Sequence, residues 1–331
     1  MTSSSLAAGC AIVLLSPRLG PVLPAAALPA LRAASAVYAT PGAAEEAAAE
    51  PAPDPAELLR RAADEPVVVI ATVLTDPAAA ALHEAGARVI GTPEPAGAAL
   101  VEATAVMDTL RSPGGCPWDA KQTHDSLRQY LVEETYELLE AIEDGDRQAL
   151  REELGDVLLQ VLFHARVAAE DPADPFSVDE VAGDLVAKLV GRHPHVFAGG
   201  DPAVRDAETQ EVRWEELKQA EKRRESTVDG VALGQPAVAL AAKLAQRTAR
   251  AGFPADLLPD GDGTGATLFV VAALAKLAGE DPENELRVVA RRYAEDVRAA
   301  ERAAKAAGLD PATMGPTGWR THWPTPSTPA V

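Results

Sequence analysis

Two short acidic strings hold the residues best suited to chemistry. Glu133-Glu134-x-x-Glu137 lies within LVEETYELLEAI, and Glu153-x-x-Asp156 within EELGDVLLQVLF. These acids sit at the edge of apolar helical stripes, where a charge is costly unless a cation meets it. Four carboxylates brought together repel and cannot all stay ionised. A hard divalent cation, Mg²⁺ with Mn²⁺ as the alternative, removes that conflict, because oxygen-only ligand sets suit these ions. Mg²⁺ keeps several waters and binds through carboxylates and substrate phosphates. The competing reading is two solvated helix faces with ordinary i,i+4 charge pairs. The second cluster, its closeness in sequence and the shared shoulder favour the metal.

The elements that must position these acids follow from periodicity. Leu127, Leu131, Leu138 and Ile142 recur at helical spacing and form one face of a helix near 124–143. Glu134 falls within that face and Glu137 on its shoulder. Leu150, Leu154, Val157, Val161 and Ala165 form the stripe of a helix near 147–170, with Glu153 and Asp156 along one shoulder. Only Glu143-Asp144-Gly145-Asp146 joins the two, so they are expected to pack antiparallel, stripe against stripe.

Composition bounds the rest. The chain has 331 residues and a formal charge of −20. That balance argues against a nucleic-acid polymer as partner, since a phosphate backbone needs a basic face. It leaves a mononucleotide open, because a metal can screen charge locally. The two cysteines, Cys10 and Cys116, show no pairing pattern and fit a reducing cytoplasm. The run Ala11-Ile12-Val13-Leu14-Leu15 is too short to span a membrane, and no Lys or Arg precedes it as a signal peptide requires.

Four regions follow along the chain. Residues 1–97 are rich in Ala and Pro and read as a small α/β element, with strands at 67–74 and 88–90 and a loose linker within 40–60. Residues 98–225 read as helical throughout, with helices near 98–111, 124–143, 147–170, 178–191 and 205–224 and Pro or Gly at their boundaries. Residues 226–310 contain a degenerate second repeat. GATLFVVAALAKLAGEDP (265–282) aligns without a gap on GDVLLQVLFHARVAAEDP (155–172), but Gly263 and Ala266 stand where Glu153 and Asp156 would be. The tail 311–331 reads as disordered.

The string CPWDAKQTHDSLRQYLVEETYELLEAI, followed by EELGDVLLQVLFHAR, RHPHVF and RWEELK, resembles the MazG family of nucleoside triphosphate pyrophosphohydrolases. The resemblance covers residues 98–225 closely and 226–308 weakly; the Ala/Pro-rich style resembles actinobacterial members. It implies a mainly α protein: an all-α helical bundle, with the small N-terminal α/β segment beside it. It implies Mg²⁺-dependent conversion of NTP to NMP and diphosphate, clearance of noncanonical or excess (d)NTPs, and a cytoplasmic homodimer whose two subunits shape the site. Carried over by motif, the metal ligands are Glu134, Glu137, Glu153 and Asp156. Glu133 is a supporting acid, either the general base or a group that tunes a ligand. Two other functions fit the sequence: a narrower dUTP or phosphoribosyl-ATP hydrolase, and a nucleotide-sensing or helix-pairing module with little turnover.

Other candidates have two readings each. Lys188 and Arg192 lie four apart on one helix face and suit the outer phosphates, or surface ion pairs. Lys218, Lys222 and Arg223 follow Trp214, the last two suiting ion pairs. Trp214 can stack on a base or anchor the core or dimer. Trp118 shapes the site entrance or packs within its loop. His193 and His195 lack a third ligand for zinc, and Pro194 between them suggests a turn. His124 fits a helix start, and Cys116 a packing thiol.

Overall fold

The valine run at 67–71 is the centre of a five-stranded, wholly parallel sheet. The structure, a computed structural model, describes residues 6–43, 47–199, 206, 209–210 and 225–325. Its strands are β1 (Ala11–Leu14), β2 (Ala36–Ala39), β3 (Glu50–Pro51), β4 (Val67–Ala71) and β5 (Arg88–Gly91), in the order β3-β2-β4-β1-β5. Ala11 pairs with Val68 on one side and Arg88 on the other, and Ala36 with Val67. Every residue of β4 is buried, as a strand covered on both faces requires. Ile12, Val67, Val69 and Ala71 meet helices α2 (Pro55–Asp64) and α3 (Pro77–Glu84) through Leu58, Ala62, Ala78 and Leu82. Ala11, Val13, Val68 and Ile70 form the opposite face, on which Ala30 and Leu31 of α1 (Leu28–Ala33) pack. Right-handed crossovers dictate this split. The β1-to-β2 connection runs one way along the sheet, while β3-to-β4 and β4-to-β5 run the other.

This sheet overturns the expected fold class. The chain is mostly helical, but residues 11–91 form a doubly wound α/β layer, not a small appendage to an all-α bundle. The run at 11–15 is a central strand, and the presumed linker within 40–60 holds β3 and the start of α2.

The helices that carry the acidic strings follow in the same compact unit, which extends to Gly191. They are α4 (Ala98–Arg111), α5 (His124–Asp144), α6 (Arg147–Ala168) and α7 (Val178–Arg192), close to the expected bounds. Helix α5 starts at a reciprocal Thr123–Ser126 capping box. It ends at Gly145, whose φ of +67° is open to glycine without strain. Asp146 then caps α6 by accepting from the backbone N–H of Gln148 and Ala149. A two-residue link between such long helices leaves only the antiparallel hairpin.

The two apolar stripes do not close on each other as expected. Leu127 is buried, but Leu131, Ile142, Leu154 and Val161 are 38–55% exposed. The core here is Met107, Leu127, Leu162 and Phe163, with Tyr130, Leu158 and Val178 packed against it. Helix α4 covers one side of the hairpin, joined by Val178 at the start of α7, so large side chains elsewhere on it remain open.

A second compact unit begins at Arg192 and contains α8 (Pro194–Phe197), α9 (Ala237–Arg250), α10 (Thr264–Leu277), α11 (Pro282–Ala306) and α12 (Pro316–His322). Helix α10 packs on α9 and α11. It starts at Gly263, so the position matched to Glu153 is only a helix cap. The tail is not disordered over its described part. Pro316 opens α12, and Trp323 lies 5.8 Å from the Tyr293 ring. Residues 326–331 lie outside the described residues. Among the described residues, no helix is long and apolar enough to cross a membrane.

Candidate active site

The hairpin brings the two acidic strings together. Glu134, Glu137 and Glu153 each offer a carboxylate oxygen within 4.8 Å of the others. Partial burial, then the charges of Asp156, Glu137 and Glu153, push the Glu134 carboxyl above its ordinary range. Partial burial, then Glu137, Asp156 and Glu152, raise Glu153 as well. Asp156 therefore belongs electrostatically to the same group. This is the signature of like charges held at short range, which a cation would relieve. The donor set is all oxygen and fits a hard divalent ion. Glu133, one position from Glu134, points off this wedge of the helix and is exposed.

The loop after α4 is tied beside the hairpin by Arg111, which is 8% exposed. Its guanidinium donates to Asp119 O at 2.5 Å and Gln122 O at 3.2 Å. It also grips Glu170 bidentately, at 3.1 and 2.7 Å. Arg166 donates to Glu170 (2.8 Å) and to Asp108 on α4 (2.7 Å). The Arg111 hydrogen bond leads the effects holding the Glu170 carboxyl below its ordinary range. Gly115 is required within the loop, since a Cβ there would collide with the carbonyl oxygens of Thr109 and Leu110. The network thus fixes Trp118, half exposed, with its ring edge-on to Tyr130 at 6.0 Å and Phe163 at 6.3 Å. Trp118 is both a packing residue and a partly open aromatic face.

The remaining candidates separate. Lys188 is exposed on α7, whereas Arg192 at its end is buried, so one helix face does not give them one environment. Trp214, Lys218, Lys222 and Arg223 lie outside the described residues. His193 caps the single helical turn α8, its ring 5.6 Å from that of His195.

Sequence reasoning missed a histidine pair. His124, the first residue of α5, stacks on His164 of α6 with centroids 5.0 Å apart and planes 4° apart, and their Nδ1 atoms are 2.7 Å apart. Burial, then His124, lower the His164 pKa. The antiparallel register was the available signal: the pairing that sets Glu134 near Glu153 also sets residue 124 near 164. Gln160, buried between these two groups, carried no sequence signal.

A helical hairpin with convergent carboxylates defines a class of acidic-site protein whose oxygen donors suit a hard cation. Comparison with known proteins makes it specific. Residues 122–197 match the MazG nucleotide pyrophosphohydrolase domain, and residues 10–90 the MazG N-terminal domain. The chain is 48% identical to a nucleoside triphosphate pyrophosphohydrolase of Mycolicibacterium smegmatis, over 72% of this chain and 74% of the relative. It is 42% identical to that of Mycobacterium tuberculosis, over 82% and 83%. It is 35% identical to the nucleoside triphosphate pyrophosphohydrolase/pyrophosphatase MazG of Thermotoga maritima, over 65% and 90%. The chain belongs to the MazG family of nucleoside triphosphate pyrophosphohydrolases.

Proposed function

We propose that the Glu134–Glu137–Glu153–Asp156 cluster is where this hydrolase cleaves its nucleoside triphosphates, between the α- and β-phosphates, giving NMP and diphosphate. The observation that carries the assignment is the convergence of three carboxylates within 4.8 Å, with Glu134 and Glu153 both raised. The four acids would hold Mg²⁺, or Mn²⁺, against the triphosphate. When bound, such an ion neutralises phosphate charge and stabilises the leaving diphosphate. Glu133, exposed and one position off the cluster, keeps a supporting role, either taking the proton from the attacking water or tuning a ligand. Trp118 borders the nucleoside, and Lys188 is assigned to the outer phosphates.

The active form is a homodimer. The open leucines and isoleucine of the hairpin support this, because a catalytic face of that apolar character is stable when a second copy covers it. The second unit is read as a repeat that kept its packing and lost its acids. The task is clearance of noncanonical or excess (d)NTPs in the cytoplasm, a role taken from the family. Product analysis decides the reaction: diphosphate plus NMP, dependent on Mg²⁺, supports it, and orthophosphate from the γ position refutes it.

A further inference from the structure

One buried side chain sets where the Trp118 ring stands. All three nitrogens of the Arg111 guanidinium are engaged. One donates to the carbonyls of Asp119 and Gln122, and the other two to the Glu170 carboxylate. The guanidinium carbon also lies 5.5 Å from the centre of the Phe163 ring, the same ring that meets Trp118 edge-on. The Trp118 carbonyl accepts from the Gln122 side chain at 3.1 Å, closing the loop on itself. Helical geometry then relates this ring to the acids. Tyr130 precedes Glu134 by one turn of α5, ~40° round the axis, and Phe163 follows Asp156 by two turns of α6, ~20° round. Trp118 rests on both of these rings. It therefore lies on the same wedge of the hairpin as the acids, about 6–10 Å along the axis on the side away from Gly145. That is the reach of a nucleotide from its phosphates to its base. Half of the Trp118 surface stays open there.

Resting on the catalytic reading above, we propose that Arg111 is a positioning residue for the nucleoside: it holds the loop that presents the open Trp118 face to the base. Glu170 in turn orients the guanidinium. A buried ion pair adds little net stability over an apolar substitute. One planar group bonded to two carbonyls and a carboxylate does fix where a loop lies, and a lysine nitrogen cannot reach all of them from one point. An aromatic face binds any base without reading its edge. Arg111 therefore acts alike on standard and altered bases, in keeping with a role in clearing noncanonical nucleotides.

The test uses the full chain with Mg²⁺. It measures kcat and KM for ATP and ITP, and the inhibition constant of inorganic triphosphate, which carries the phosphates without a nucleoside. Arg111→Lys keeps the charge and is expected to raise KM roughly tenfold for both nucleotides, within what one aromatic stack contributes. Turnover at saturation and inhibition by inorganic triphosphate are expected to stay close to the parent's. Trp118→Ala should reproduce the pattern, and the double variant should be no worse than Trp118→Ala alone, because Arg111 acts through that ring. Glu170→Gln, which loosens the guanidinium, gives the same reading should the lysine variant not fold. An unmoved KM, a loss confined to kcat, an equal weakening of inorganic triphosphate, or additive effects in the double variant overturn the inference while catalysis stands. No diphosphate release from either nucleotide by the unsubstituted chain overturns the catalytic reading, and this inference with it.

Discussion

Glu134 and Glu153 bind protons more tightly in the fold than free carboxyls do, because partial burial and neighbouring acids disfavour their charge. For an acid with a raised folded-state pKa, folding is favoured most below the ordinary value of 4.5 and loses that advantage as pH rises through the raised value. Without divalent ions, the melting temperature should therefore fall as pH climbs from 4.5 towards neutrality. Glu134→Gln should melt higher than the unsubstituted chain at neutral pH, yet lose Mg²⁺-dependent diphosphate release. Adding Mg²⁺ should stabilise the unsubstituted chain, by about 2.7 kcal/mol at a hundredfold excess over Kd, and the variant much less. Scanning calorimetry with and without Mg²⁺ reads all three, and a variant stabilised as strongly as the parent removes Glu134 from the ligand set. Arg111 is the second sensitive residue. Arg111→Ala strips donors from two loop carbonyls and from Glu170. It should lower stability by about 2–3 kcal/mol in urea unfolding, the range for hydrogen bonds from a charged group.

The hairpin between α5 and α6 is the element on which the site depends. Its two-residue link fixes a register in which 134 and 137 meet 153, and 124 meets 164. Gly145 sits at the pivot with φ +67°. Gly145→Val places a β-branched side chain in a left-handed conformation and should cost about 1–2 kcal/mol. Turnover should fall further than a remote change of equal cost produces, because the register itself shifts; a chemical-denaturation curve paired with a diphosphate assay separates the two effects. Both helices were legible in sequence. Leucine spacing, the Thr123 and Asp146 caps and the Gly145 stop all agree, and such agreement places boundaries to within a residue or two. The sheet was less legible. Strand β2 reads Ala-Val-Tyr-Ala and β3 has only two residues, so local β-propensity is weak and their pairing with β4 comes from distant parts of the chain.

On the scale of the whole molecule, the α5–α6 hairpin leaves apolar surface away from α4. Ile142 and Leu154 are 55% and 52% exposed. If a second copy covers them, Ile142→Asp with Leu154→Asp should yield a folded monomer with diphosphate release strongly reduced. Analytical ultracentrifugation and circular dichroism check this. An unsubstituted chain that is monomeric at assay concentration and fully active rules out the dimer. The N-terminal layer joins the same compact unit through Arg18, which bonds Glu94 after β5 and Glu102 on α4 at 2.9 and 3.1 Å.

What the residues alone determined was the candidate chemistry: acids at helical spacing on two neighbouring segments, an oxygen-only donor set suited to a hard cation, and a turn too short for any arrangement but a hairpin. Helical periodicity is local, so a linear string encodes it. Only the tertiary structure decided that the run at 11–14 is a central strand, that Gln160 and His164 are enclosed beside the acids, and that the stripes stay half open. Those properties depend on which distant segments cover each face, and burial is a relation between segments rather than a property of any one of them.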